Sequence, residues 1–208
     1  MNVILDYDSG NLDSVVKAFN KAGIETIVSR DINIIENATS LVLPGVGAFG
    51  DAMRALKKSG LIPSIKRHVA ANKYLFGICL GMQLLYDKSF EHGEYEGLGF
   101  IKGEIKPLDI TLKVPHMGWN DLIQHKKDAL TKYIDEGDYV YFVHSYYVKS
   151  TDHELLSYTT YDTLIPAIIK KGFIYATQFH PEKSGNVGAN ILRAYKEILD
   201  DHLSSNRS

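Results

Sequence analysis

One cysteine stands in a chain of 208 residues, Cys79. A single thiol cannot close an intramolecular disulfide, so the fold has to rest on its own core. Charge of one sign is also scarce: 23 Lys+Arg against 25 Asp+Glu leave a net charge of -2. That balance gives no global footprint for nucleic acid or for an anionic membrane. No apolar run is long enough to cross a bilayer and no apolar leader opens the chain, so the expectation is a soluble, cytoplasmic protein with no nucleic-acid or membrane partner. There is no internal repeat, low-complexity tract or Pro/Gly-rich linker to divide it. No His/Cys cluster has metal-ligand spacing, and no G-x-x-x-x-G-K-[ST] loop occurs, so the chemistry is expected to need neither metal nor cofactor.

What remains is ordinary globular composition, 45% hydrophobic and 23% charged, enough for one domain with a substantial core. The apolar runs at residues 2–7, 24–28 and 41–43 read as buried strands. Leu12, Val15, Val16, Phe19 and Ala22 form a helical stripe that Gly23 caps. Strands alternating with helices over the first 90 residues predict parallel βαβ units. Residues 99–124 and 138–179 hold short β-rich runs with little helical pattern, which predicts antiparallel strand additions to the same sheet. Ile191, Leu192, Tyr195, Ile198 and Leu199 mark a final helix. One domain is expected over 1–203, followed by a fraying tail at 204–208.

The lone thiol sits in FGICLGMQ, with Gly77 two residues before it and Gly81 two after. That spacing suits a strand-to-helix turn too tight for side chains, the nucleophile-elbow arrangement with Cys in place of Ser. The turn would leave the sulfur at the start of a helix near Leu80, where free N–H groups and the macrodipole favour a thiolate and the Leu80 N–H can face an oxyanion. The plainer reading is a small buried hydrophobe, the usual fate of a free cysteine.

A thiol nucleophile needs a base. Of eight histidines, His68, His92, His125, His153 and His202 sit among polar neighbours and read as solvent-exposed, whereas His116, His144 and His180 lie in PHMGWN, YFVHSYY and QFHPEKSG. Only His180 brings a third member. Pro181 is expected to hold the chain extended, so that His180 and Glu182 project to one side. The carboxylate can then orient and stabilise the imidazolium. The motif follows a strand-like run directly, placing it at the C-terminal edge where open α/β sheets build sites.

PGVGAFG carries G-x-G-x-x-G at Gly45, Gly47 and Gly50, the dinucleotide-binding pattern. The acid that pattern wants about 20 residues on is missing, because no Asp or Glu stands between Asp51 and Asp87. The alternative use is close backbone approach to a substrate carbonyl, completing an oxyanion hole with Leu80. Metal-free acyl transfer through a thioester follows.

GICLGMQ with QFHPEKSG resembles the Cys-His-Glu triad of class I glutamine amidotransferases, and DYDSGNLDSV, PGVGAFGDAM, PHMGWN and YFVHSYY extend the likeness over nearly the whole chain. The resemblance implies an α/β flavodoxin-like fold, with a mainly parallel central sheet flanked by helices. It implies that Cys79 attacks the amide of glutamine, His180 shuttles the proton to ammonia and Glu182 orients His180. Val46, Gly47 and Leu80 would supply the oxyanion region, and Gln83, Ser145 and Tyr146 would hold glutamine. Ammonia would pass to a (βα)8-barrel cyclase subunit in histidine biosynthesis, with Met117, Trp119, Asn120, Tyr141 and Lys183 facing it. The same triad serving another synthase is the alternative. Asp8 departs from the glycine usual in the family, and residues 87–96 match most loosely.

Overall fold

The structure, a computed structural model, describes residues 1–8, 12–149 and 153–205. The first half alternates as expected: β1 (Asn2–Leu5), α1 (Leu12–Lys21), β2 (Thr26–Ser29), α2 (Ile32–Glu36), β3 (Ser40–Leu43), α3 (Phe49–Ser59), α4 (Ile62–Ala70), β4 (Tyr74–Ile78) and α5 (Leu80–Gln83). Thereafter come β5 (Tyr86–Ser89), β6 (Tyr95–Glu96), β7 (Ile101–Pro107), β8 (His116–Asp121), β9 (Ile123–Gln124), β10 (Tyr139–His144), β11 (Tyr146–Lys149), β12 (Leu155–Thr160), β13 (Leu164–Lys171), β14 (Ile174–Thr177) and α6 (Gly185–Ser205). Residues Ser9–Asn11 of the first turn and 206–208 of the expected tail lie outside the described residues, while Ser204 and Ser205 still belong to α6.

The main sheet has eight strands in the order β2-β1-β3-β4-β14-β13-β12-β9. β2 through β14 run parallel, and β13, β12 and β9 add on antiparallel. The β-rich pattern of the second half predicts additions to this one sheet, and only part of it joins. β8 and β10 pair as a separate ribbon, and β11-β7-β5-β6 form a sheet of their own.

The inner parallel strands are apolar on successive residues because both faces are covered, whereas Ile27 and Val28 of the edge strand β2 are exposed. Val3, Leu5, Leu41, Leu43 and Leu75 pack under α2, α3 and α4, while Ile4, Val42 and Phe76 pack under α1 and α6. Phe76 meets Tyr195 of α6 at 4.8 Å and Phe19 of α1 at 6.0 Å, so aromatic packing fixes that layer against β4. Gly23 ends α1 in the left-handed region at φ 79, as a capping glycine does. Asp8 sits in the same region at φ 66, which explains why glycine suits that place. Here its carboxylate is compensated by Arg30 at 2.7 Å.

Candidate active site

The site grows from the adjacency of β4 and β14. Ile78 and Thr177 are register partners at the ends of these parallel strands, so the residues that follow emerge side by side at one sheet edge. The Cys79 N–H donates to the Thr177 carbonyl at 2.7 Å, tying the turn down. Cys79 itself has φ 53 and ψ -110, a conformation that L residues rarely hold and that persists only where the surroundings enforce it. The flanking glycines enforce it as the spacing predicts. A Cβ on Gly81 would lie 1.8 Å from the Leu43 carbonyl oxygen, and one on Gly77 would lie 3.0 Å from the Gly81 carbonyl. The helix after the turn begins at Leu80 as expected and is short, four residues at Leu80–Gln83. What it offers the sulfur is a pair of local N–H groups, since a macrodipole needs more turns than this.

His180 sits on an equally fixed turn. Pro181–Lys183 is a 3-10 turn, not the extended segment expected, yet it still brings His180 Nδ1 to Glu182 Oε1 at 2.7 Å, with both side chains almost fully buried. The His180 N–H donates to the Tyr141 carbonyl at 3.1 Å, and Ser184 Oγ donates to the His180 carbonyl at 2.7 Å while accepting from the Tyr141 N–H at 3.0 Å. A Cβ on Gly188 of α6 would lie 2.0 Å from the Pro181 carbonyl, so the helix presses directly on the turn. With Nδ1 committed to Glu182, Nε2 is left for Cys79. Burial pulls the imidazole pKa down, but its bonds to Cys79 and Glu182 outweigh that and push it up to about 9.

Cys79, His180, Val46, Gly47, Leu80, Gln83, Ser145, Tyr146 and Lys183 line one cavity of about 400 Å³, within the range of small-molecule sites. Glu182 stands behind His180 and outside it. Val46 is 42% exposed, and Gly47 holds φ +91 with open space around it. Gln83 donates through Nε2 to the Tyr146 carbonyl at 2.8 Å and to Gln178 Oε1 at 3.0 Å, which leaves its own carbonyl oxygen for a ligand. Met117 and Trp119, 60% and 52% exposed, point outward from β8, and the Trp119 ring meets Tyr141 of β10 edge-on at 5.9 Å. Asn120 lies on the other face of β8, where its side chain reaches His116 and Thr160.

Several residues of the site carry no sequence signal of their own. Gln178 Nε2 approaches Cys79 Sγ at 3.8 Å. Glu91, within the loosely matched stretch, lines the cavity, and its Oε2 accepts from the Phe49 N–H at 2.7 Å. That carboxylate occupies the start of α3 where a pyrophosphate would have to sit, which argues against the dinucleotide reading of Gly45, Gly47 and Gly50. Two of those glycines serve packing instead: a Cβ on Gly50 would enter the Tyr95 ring at 2.6 Å, and one on Gly45 would meet Tyr7 Oη at 2.9 Å. His68, read as exposed, is buried on α4 with Nε2 donating to the Tyr74 carbonyl at 3.0 Å, and burial pushes its pKa down to about 4. Among the described residues no group of His, Cys, Asp or Glu is arranged to hold a metal, and no helix is long and apolar enough to cross a membrane.

The profile of the Glutamine amidotransferase class-I family matches residues 3–195. The chain is 50% identical to the imidazole glycerol phosphate synthase subunit HisH of Lactococcus lactis subsp. lactis, covering 95% of this chain and 98% of that one. It is 44% identical to the subunit of the same name from Listeria monocytogenes, covering 99% of each. Among solved structures it resembles a glutamine amidotransferase with a TM-score of 0.74 at 20% identity, covering 95% of this chain and 97% of the other. The structure of PurLQS from Thermotoga maritima follows at 0.73 and 19%, covering 95% and 98%. At such identities the likeness to these two speaks for the fold.

Proposed function

The chain belongs to the glutamine amidotransferase class-I family, in the branch of imidazole glycerol phosphate synthase HisH subunits, and from that premise we propose the following division of labour among its residues. Cys79 Sγ attacks the side-chain amide carbon of glutamine with its proton already held on His180 Nε2, as the raised pKa of that ring allows. The tetrahedral oxyanion is met by the Leu80 N–H and by an N–H of the Val46–Gly47 segment. His180 then returns the proton to the departing nitrogen, releasing ammonia and leaving a γ-glutamyl thioester. Water, deprotonated by the same Nε2, attacks the thioester; glutamate leaves and the thiol is restored. The sum is glutamine plus water giving glutamate plus ammonia.

Glu182 keeps Nδ1 protonated and stabilises the imidazolium through both halves of the cycle. Gln83 Oε1, Ser145 and Tyr146 hold the amino-acid end of the substrate. The observation that carries the reading is the meeting of a strained Cys79 and a carboxylate-anchored His180 in one cavity at the C-terminal edge of a parallel sheet. Ammonia passes to a (βα)8-barrel cyclase that docks on Met117, Trp119, Tyr141 and Lys183. Docking with ligand bound turns the Val46–Gly47 peptide into its working orientation, so activity is weak without it.

The test is glutamate release by the purified chain, alone and with a barrel cyclase and its ligand, beside Cys79→Ala. Partner-dependent release that falls by about a thousandfold or more in Cys79→Ala is expected. Release that survives in Cys79→Ala would remove Cys79 from the mechanism, and equal turnover with and without the partner would refute the gating.

A further inference from the structure

Besides His68, two buried histidines outside the triad remain without a role, and one of them, His144, lines the cavity. His116 of β8 and His144 of β10 are register partners on the ribbon, and their rings meet with His116 Nδ1 3.0 Å from His144 Nε2. His144 Nδ1 lies 2.9 Å from the Tyr146 carbonyl, and His116 Nε2 lies 3.0 Å from the Asn120 amide. The Tyr146 carbonyl also accepts from Gln83, which bonds Gln178, whose Nε2 reaches Cys79 Sγ. A continuous hydrogen-bonded line therefore runs from Asn120 on the exposed ribbon to the nucleophile.

Counting protons fixes its direction. The Tyr146 carbonyl only accepts, so His144 must carry its proton on Nδ1. A neutral His144 then accepts at Nε2, which requires the proton of His116 on Nδ1, and a neutral His116 must accept at Nε2. With Asn120 Oδ1 facing that nitrogen, three contacts would need three N–H groups, whereas two neutral rings own two. Either the pair holds an extra proton, or the Asn120 amide turns to present Nδ2, giving up only its long contact to the Thr160 carbonyl at 3.4 Å.

Burial decides between them. The desolvated rings resist charge, His144 being pushed down to about 3 by burial, then by His116 and by His180 nearby, and His116 being lowered by burial against the pull of Asn120. Besides Asn120 of β8 and His180 of the 3-10 turn, the groups facing the rings are Phe142 of β10 and Tyr161 after β12, stacked on His116 at 4.8 and 3.9 Å. Neither adds a charge to favour the imidazolium.

We propose that His144 and His116 are positioning residues for the glutamine pocket, both neutral with the proton on Nδ1, so that a one-way line from the Asn120 amide clamps the Tyr146 carbonyl and, through Gln83 and Gln178, orders the groups around Cys79. The inference rests on the glutaminase reading of that pocket. Its content is that the Tyr146 carbonyl is held by two donors at once, which turns the Gln83 oxygen toward the ligand, and that this hold ends at a residue on the ribbon where a partner is proposed to dock.

Nitrogen-15 spectra of the histidines in the full chain read the tautomers directly, without any turnover. Both rings are expected as neutral Nδ1–H near neutral pH; an Nε2–H tautomer or an imidazolium at either would overturn the proposal. Kinetics in the complex with a barrel cyclase supply the second reading. In His144→Asn the short amide can place its N–H where Nδ1 stood, whereas in His144→Gln the longer amide reaches toward His116 and leaves the Tyr146 carbonyl short of a donor. Glutamine KM should rise about tenfold in His144→Gln with the loss mainly in KM and not kcat, and return to within about threefold in His144→Asn. Equal behaviour of the two variants in a Cys79-dependent enzyme would sink this inference and leave the glutaminase standing. A wild-type complex without glutaminase activity would instead sink the functional reading, with the spectra still deciding the tautomers.

Discussion

The two walls of the cavity are built differently. On one side Cys79, His180 and Glu182 are buried, and backbone contacts at Gly81 and Gly188 leave no room for even a methyl group. On the other side Val46 is exposed, and Gly47 has a positive φ with open space where a Cβ would lie. In the proposed mechanism the first wall carries the covalent chemistry, which tolerates little misplacement. The second would carry the oxyanion donors, needed only when a substrate and a waiting acceptor are present. A tightly packed nucleophile beside an open oxyanion segment is a site that can be complete and still be off.

The comparison predicts where substitutions hurt. Gly81→Ala should strike hardest at the fold, because its Cβ cannot avoid the Leu43 carbonyl; a loss of about 3 kcal/mol is expected, read as a Tm lower by roughly 6–12 °C in thermal unfolding. An unchanged Tm would show that the rigid wall can give.

Glu182→Gln should leave the fold nearly intact, since an amide oxygen still accepts from Nδ1, but kcat should fall by about a hundredfold. The linkage sign is definite. His180 is raised, so its contribution to stability is full below its ordinary pKa of 6.5 and is lost as pH rises through about 9. In Glu182→Gln this alkaline loss should shrink and move toward lower pH in denaturation curves.

Gly47→Ala tests the loose wall. No neighbour is displaced, so the cost is the positive φ alone, about 1 kcal/mol. Partner-stimulated turnover should fall further than stability does, by about tenfold, because the alanine resists the peptide rotation. A stimulated rate equal to wild type would show that the Val46–Gly47 peptide does not move.

The elbow and the His-Pro-Glu motif were legible because each is local: glycines two residues either side of Cys79, and a carboxylate two residues after His180. The parallel βαβ units of the first half were legible from strands alternating with helices, whereas the order of those strands in the sheet was not. The pairing of His116 with His144 was not, since it depends on the β8–β10 register across 28 residues, and Glu91 reaches the cavity and Gln178 the Cys79 sulfur by the same kind of long-range closure. The polar neighbours of His68 mislead. Its spacing from Ser64 and Ile65 places it on the buried stripe of α4, a signal that is present in the periodicity.

His68 supplies a control lying away from both walls. Its pKa is lowered to about 4, so the unfolded chain takes up a proton that the folded chain refuses. Stability is therefore lost as pH falls from 6.5 toward 4, at up to about 1.4 kcal/mol per pH unit. His68→Gln, which keeps a donor for the Tyr74 carbonyl, should flatten that slope in urea titrations between these pH values without altering glutaminase kinetics.

The lone thiol has a practical consequence. Cys79 is 7% exposed at the bottom of the cavity, and there is no second sulfhydryl in the chain. A thiol-selective reagent can therefore mark one atom only, and it must enter the cavity to do so. The moles of label taken up per mole of protein become a census of open sites, and the rate of labelling, slowed by glutamine or quickened by a docked partner, becomes a clock for the doorway itself.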